Sequence, residues 1–153
     1  MLPMPTKYRM VAGSSEGATE LNAFDGALLS AGAGNLNLLR VSSILPPGAV
    51  YDETLVIPPG NLVPVAYGSI VNSRPGATIS AAVAVGIPED GDYGVIMELS
   101  GEFDRFTAES RIRQMVVNAF KIRNKPLADV RICSAEHMVD KIGCAFAGVL
   151  LWY

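Results

Sequence analysis

Three apolar runs follow one another through the middle of the chain, each separated from the next by residues that turn the backbone. They are Val63 to Asn72, Thr78 to Ile87 and Tyr93 to Ser100, parted by Arg74-Pro75-Gly76 and Glu89-Asp90-Gly91-Asp92. Proline presets one turn dihedral and glycine takes the others without strain, so the pattern predicts consecutive strands. Lys7 to Ala12, Asn35 to Ser42, Val130 to Ala135 and Cys144 to Trp152 are further strand candidates. In the Asn35 run, alternation sets Asn37, Leu39 and Val41 on one face and Leu36, Leu38 and Arg40 on the other. Pro46-Pro47-Gly48 and Pro58-Pro59-Gly60 bound a loop-rich passage. Helical spacing is confined to two stretches. Glu20 to Ala31 carries Phe24, Leu28 and Ala31 on one stripe, with Gly32 as its stop. Ala108 to Arg123 repeats Ile112, Met115, Val116, Ala119 and Phe120, with Thr107 as N-cap and Asn124-Lys125-Pro126 as its end. Strands outnumber helices without alternating with them, which predicts a layered α+β fold rather than a doubly wound sheet.

The 153 residues form a single domain, with no internal repeat and no low-complexity segment. Half are hydrophobic and 18% are charged, against a usual charged share of about 25%. The mean hydropathy of +0.31 is high for a soluble monomer. No apolar run reaches the roughly 18 residues that cross a membrane. A subunit interface accounts better for the surplus apolar surface, so an oligomer is expected. A net charge of −3 with no basic cluster argues against nucleic acid. Cys133 and Cys144 lack CxxC spacing and are expected as buried, reduced thiols in a cytoplasmic protein, a disulfide being the minority alternative. Met1-Leu2-Pro3-Met4-Pro5 has neither a basic region nor an apolar core, so no signal peptide is expected.

Chemistry is concentrated at Ser42-Ser43, where a β-like run meets the locked exit Pro46-Pro47. A serine hydroxyl held beside the preceding carbonyl can attack it and turn the peptide into an ester. Elimination across that ester cuts the chain and leaves a keto group at the position of Ser43. An ordinary turn serine is the plain alternative. Glu98 lies in Val95-Ile96-Met97-Glu98-Leu99-Ser100, an acid within an apolar strand, on the face of Ile96 and Ser100. Burial there raises a carboxyl pKa and suits a proton donor at neutral pH, whereas a solvated strand glutamate would do nothing. Gly13-Ser14-Ser15-Glu16-Gly17 fits G-x-S-x-G after a strand and before a helix. That offers a rival, a serine hydrolase with Ser15 as nucleophile and His137 as base. The sole histidine is equally a structural residue.

Beyond these features, the chain resembles the pyruvoyl-dependent arginine decarboxylase family. The likeness is carried by Val11-Ala12-Gly13-Ser14-Ser15-Glu16-Gly17, Leu21-Asn22-Ala23-Phe24-Asp25-Gly26-Ala27-Leu28-Leu29 and Gly34-Asn35-Leu36-Asn37-Leu38-Leu39-Arg40-Val41-Ser42-Ser43-Ile44-Leu45-Pro46-Pro47. Val63-Pro64-Val65-Ala66-Tyr67-Gly68, Thr78-Ile79-Ser80-Ala81-Ala82, Ile96-Met97-Glu98, Glu136-His137, Gly143-Cys144-Ala145-Phe146-Ala147 and Leu151-Trp152-Tyr153 continue it in order. The resemblance implies a four-layer αββα sandwich with mixed sheets, and a trimer of processed protomers with sites at subunit boundaries. It implies cleavage into chains 1–42 and 43–153, with Ser43 ending as a covalent pyruvoyl group. No external cofactor and no metal is then needed. The substrate is expected to be L-arginine and the product agmatine. Its amine would condense with the ketone to an imine, and the electrons left by carbon dioxide would spread into the adjacent amide carbonyl, the role of pyridoxal phosphate elsewhere. The resemblance gives Glu98 the protonation of the carbon that lost carbon dioxide. It carries over Asn37 as a site residue near the scissile bond, where its amide could polarise the carbonyl of Ser42; a polar edge-strand residue is the alternative. Asp25 is the carboxylate best suited to a guanidinium fork, with Leu28 beside it in substrate binding, although a helical acid can equally be a surface group. A non-catalytic oligomeric relative is the remaining alternative.

Overall fold

In the computed structural model, which describes residues 1–153 as one continuous chain, four layers stack in the order helix, sheet, sheet, helix. The first sheet contains β1 (Lys7–Glu16), β2 (Asn37–Arg40), β4 (Val50–Tyr51), β5 (Leu62–Asn72) and β9 (Gly143–Trp152), in the order β2-β5-β9-β1-β4. It is mixed, because β2 runs parallel to β5 and β4 parallel to β1 while β9 is antiparallel to both its neighbours. The second sheet is antiparallel, with β3 (Ile44–Leu45), β7 (Gly94–Gly101), β6 (Thr78–Pro88) and β8 (Leu127–Met138) in that order. Helix α1 (Glu20–Ala31) covers the outer face of the first sheet and α2 (Arg105–Ile122) that of the second.

Three apolar cores separate the layers. Ala23, Ala27, Val63, Val65 and Phe146 pack between α1 and the first sheet. Tyr8, Val83, Val85, Ile96 and Val149 lie between the sheets. Ala82, Ala84, Val95, Ile112, Val116 and Phe120 pack between the second sheet and α2. Strand β6 is buried on both faces, its odd-numbered valines inward and its even-numbered alanines toward α2, which explains its unbroken apolar reading.

Beyond shifts of a few residues at strand ends, the elements differ from the sequence expectations in four ways. The segment Gly13 to Glu16 continues β1 rather than looping, because Gly13 to Glu16 pair with Phe146 to Gly143. The buried stripe of α1 is Ala23, Ala27 and Ala31, with Phe24 and Leu28 only partly buried at its margin. The cause is close approach: a Cβ on Gly13 would sit 2.5 Å from the Ala31 nitrogen and 2.7 Å from the Ala27 oxygen. Helix and sheet are too near for larger side chains there. Helix α2 starts before Thr107, capped by Asp104 Oδ1, which accepts the Thr107 N–H at 2.7 Å. The passage between the proline pairs holds the two-residue strands β3 and β4, which local pattern cannot reveal. Gly32 does stop α1, with φ 86°. Cys133 and Cys144 are both free thiols, half-buried and buried.

Candidate active site

The chain changes sheets at the serine pair. The Val41 N–H donates to the Val65 carbonyl at 3.0 Å, the last rung of the β2–β5 ladder. Two residues later the Ser43 carbonyl accepts from the Ile96 N–H at 2.8 Å, which joins it to the second sheet. In an unbroken parallel ladder the next donor to β5 would be the Ser43 amide, bonding the Tyr67 carbonyl. Arg40 supplies that bond instead, its Nη2 donating to the Tyr67 carbonyl at 2.9 Å. The Ser42–Ser43 peptide therefore stands outside both ladders. Neither the Ser42 carbonyl nor the Ser43 amide or hydroxyl takes part in a hydrogen bond, and Ser43 is half-buried between the exposed Ser42 and Ile44. Both the nucleophile and the bond it would attack are uncommitted.

Glu98 lies opposite Val83 in the β6–β7 ladder and, as alternation predicts, faces the space between the sheets with Ile96, while Val95, Met97 and Leu99 turn toward α2. The sheets converge at this corner. Ser100 Oγ donates to the Ser69 carbonyl at 3.0 Å, and a Cβ on Gly68 would lie 3.1 Å from the Leu99 oxygen. Glu98 is the next same-face residue after Ile96, about 7 Å along the strand from the amide that holds Ser43. Burial pushes its carboxyl above the ordinary value, and the nearby Arg40 guanidinium draws it part of the way back. A carboxyl so placed is a weaker acid than a free glutamate, the direction that suits a proton donor.

The other predicted residues lie elsewhere in the protomer. Asn37 opens β2, exposed, with Nδ2 donating to the Gly60 carbonyl at 2.9 Å. An extended chain separates it from Ser42 by about 16 Å. Asp25 is exposed on α1 and Leu28 half-buried one turn along, so the first sheet stands between them and Glu98. Within one chain the structure brings Ser43 and Glu98 together and leaves Asn37, Asp25 and Leu28 apart from them.

The family model for pyruvoyl-dependent arginine decarboxylase matches residues 7–152. This chain belongs to the pyruvoyl-dependent arginine decarboxylase family. It is similar to the pyruvoyl-dependent arginine decarboxylase of Methanocaldococcus jannaschii at 50% identity, over 98% of this chain and 92% of that protein. To the protein of the same description from Pyrococcus abyssi it is 42% identical, over 97% and 96%. Among solved structures, a pyruvoyl-dependent histidine decarboxylase at pH 8 shares the fold, with a TM-score of 0.53 at 18% identity. That likeness covers 63% of this chain and 52% of the other.

Family membership and geometry together disfavour the hydrolase alternative. Ser15 is a β1 residue paired with Cys144, not a residue of a strand-to-helix elbow, and its Oγ donates to the Glu16 carbonyl at 2.8 Å. His137 is committed to Glu16, with Nε2 2.6 Å from Oε2. Two residues beside Glu98 escaped sequence reasoning, Arg40 and Tyr67. The one available signal was a charged residue ending an apolar strand two positions before the serine pair. A shallow apolar cavity of about 260 Å³ adjoins that pair, lined by Val41, Ser42, Ile44, Pro64, Leu151 and Tyr153 among others. The largest concavity, about 730 Å³, lies instead at the C-terminal end of α2 beside Lys125.

Proposed function

We propose that this chain cuts itself between Ser42 and Ser43 and then decarboxylates L-arginine to agmatine and carbon dioxide. The observation that carries the reading is the serine pair strung between two sheets, outside both ladders, in a chain matched by the family along nearly its whole length. Ser43 Oγ adds to the Ser42 carbonyl carbon, the C–N bond breaks, and an ester replaces the amide. Loss of the Ser43 α-proton with departure of the Ser42 carboxylate opens that ester. Water then adds at the α-carbon of residue 43 and ammonia leaves, so chain 43–153 begins with a keto acyl group. The surroundings fit this group, because the cut breaks no sheet rung and the residue-43 carbonyl is already held by the Ile96 amide. Once formed, the pyruvoyl group supplies the electron sink for the pair left by the departing carboxylate.

The chain's own residues do the rest. The Ile96 N–H favours negative charge on the residue-43 carbonyl, as an oxyanion donor does. Glu98 delivers a proton to the carbon that has lost carbon dioxide. The carboxylate of Asp25 pairs with the planar guanidinium of the substrate, and Leu28 lines the same helix face. Asp25, Leu28 and Asn37 serve a neighbouring copy's Ser43, in a trimer whose sites lie at subunit boundaries. The exposed apolar residues Leu21, Leu29, Leu39, Ile44 and Leu62 support such an assembly. No helix is long and apolar enough to cross a membrane, and two free thiols accord with a reducing cytoplasm.

Intact-mass measurement under denaturing conditions tests the processing step. Wild-type protein should give two chains, 1–42 and 43–153, the larger blocked at its N-terminus, and Ser43→Ala should give one inactive chain. Cleavage of Ser43→Ala at the same bond would defeat the mechanism. Carbon dioxide release from arginine, ornithine, lysine and histidine then tests the substrate, and preference for an uncharged amino acid would remove Asp25 from its role.

A further inference from the structure

Arg40 is held on two sides by Tyr67. Its Nη2 donates to the Tyr67 carbonyl at 2.9 Å and its Cζ stands 4.5 Å from the centre of the Tyr67 ring. A planar guanidinium can lie on a ring and direct its N–H groups in a fixed fork, a geometry that a lysine ammonium lacks. Tyr67 is itself packed against Phe146 and Phe24, with ring centroids 5.3 and 6.2 Å away, so the platform is rigid. From it the guanidinium reaches across the corner to Glu98, Nη2 to Oε1 3.7 Å, an ion-pair separation rather than a hydrogen bond. Within the chain Glu98 forms no other ion pair. Val83 faces it from β6, Gly68 and Ser69 approach from β5, and the crossing strand contributes Ser43, none of them charged. Arg40 belongs to chain 1–42, and Tyr67 and Glu98 belong to chain 43–153. The contact therefore spans the cut.

We infer that Arg40 is a positioning residue, fixing the Glu98 carboxyl at the corner where residue 43 is held and keeping the end of chain 1–42 docked there after cleavage. The inference rests on the reading of Glu98 as the proton donor. A fixed cation beside a half-buried carboxyl favours its ionised form, so removing the cation lets the carboxyl hold its proton to higher pH.

In the processed enzyme, Arg40→Gln should lower kcat roughly tenfold with KM little changed, and should move the alkaline limb of the kcat–pH profile up by about one pH unit, the low end for a neighbouring cation. Arg40→Lys should restore the position of that limb but only part of kcat. An alkaline limb that stays in place in Arg40→Gln overturns the proposal, whatever happens to kcat. Should Arg40→Gln fail to cleave, the uncut Ser43→Ala background gives the answer without activity. There the Glu98 side-chain carbon, followed by NMR, should titrate at higher pH in Ser43→Ala/Arg40→Gln than in Ser43→Ala. Equal titration midpoints overturn the proposal. If the midpoint moves while processed Glu98→Gln remains active, the coupling stands and the donor reading of Glu98 fails instead.

Discussion

Glu98 is the only acid in an eight-residue strand otherwise made of Gly, Val, Ile, Met, Leu and Ser. Burial keeps it a weaker acid than a free glutamate, with Arg40 opposing that shift. As a donor it works while protonated, so kcat should fall as pH rises through its raised pKa. Glu98→Gln retains shape and hydrogen bonding but has no proton to deliver. In processed protein it should turn over more slowly by on the order of 10²–10⁴-fold, measured as carbon dioxide release under saturating arginine. Near-wild-type turnover would give the proton to water or to another acid. At this scale the sequence was most informative, since an isolated acid in an apolar run and a serine pair before two prolines are both visible without coordinates. Arg40 was not, because its role depends on a carbonyl and a ring 27 positions further on.

Elements are joined as deliberately as residues are placed. Where β1 ends and the chain turns into α1, Glu16 Oε1 accepts the backbone N–H groups of Lys141 and Ile142 at 2.8 and 3.1 Å. His137 of β8 takes the other oxygen. Partial burial alone would raise this carboxyl, but the amides of the 140–142 turn and His137 together outweigh it and hold the pKa at about 2. A carboxyl depressed in the folded state stabilises fully above its unfolded value near 4.5 and loses that contribution as pH falls toward 2. Glu16→Gln should therefore be less stable than wild type at pH 6, by about 1–2 kcal/mol once the exposure of the carboxyl is allowed for. The difference should shrink steadily on acidification. Thermal melts of the two proteins between pH 6 and pH 2.5 would show it, and a constant gap would mean that the carboxylate charge is not what ties β1 to the β8–β9 turn.

At the scale of the whole molecule, cleavage at residue 42 would leave chain 1–42 woven into the fold. It supplies β1, which pairs with β9 at ten positions, as well as α1 and β2. The two chains should elute together in native gel filtration and separate only in denaturant. The separation of Asp25 from Glu98 by a full sheet leads to a second outcome. Asp25→Asn should weaken arginine binding by about 1.5–3 kcal/mol, the loss of a charge-assisted hydrogen bond. Co-expressed with Glu98→Gln, it should yield mixed oligomers more active than either variant alone, because some boundaries then combine an intact Asp25 with an intact Glu98. Activity no higher than the sum of the two parents would place both residues in one protomer's site.

The order of the longer strands and of the two helices, and the end of α1 at Gly32, follow from local physics, since hydrophobic period and glycine conformation act over a few residues. The same short range explains why Ser43 and Glu98 stood out. What local pattern could not decide is anything set by partners distant in the chain. Gly13 to Glu16 became strand because β9 offered a ladder, and α1 turned its alanines inward because Gly13 let it settle close to the sheet. The passage of Ser42–Ser43 from one sheet to the other depends on Val65 and Ile96, residues that meet only when both sheets are built. Local sequence supplies the reactive groups, while hydrogen-bond ladders formed across the fold leave that one peptide free of both sheets.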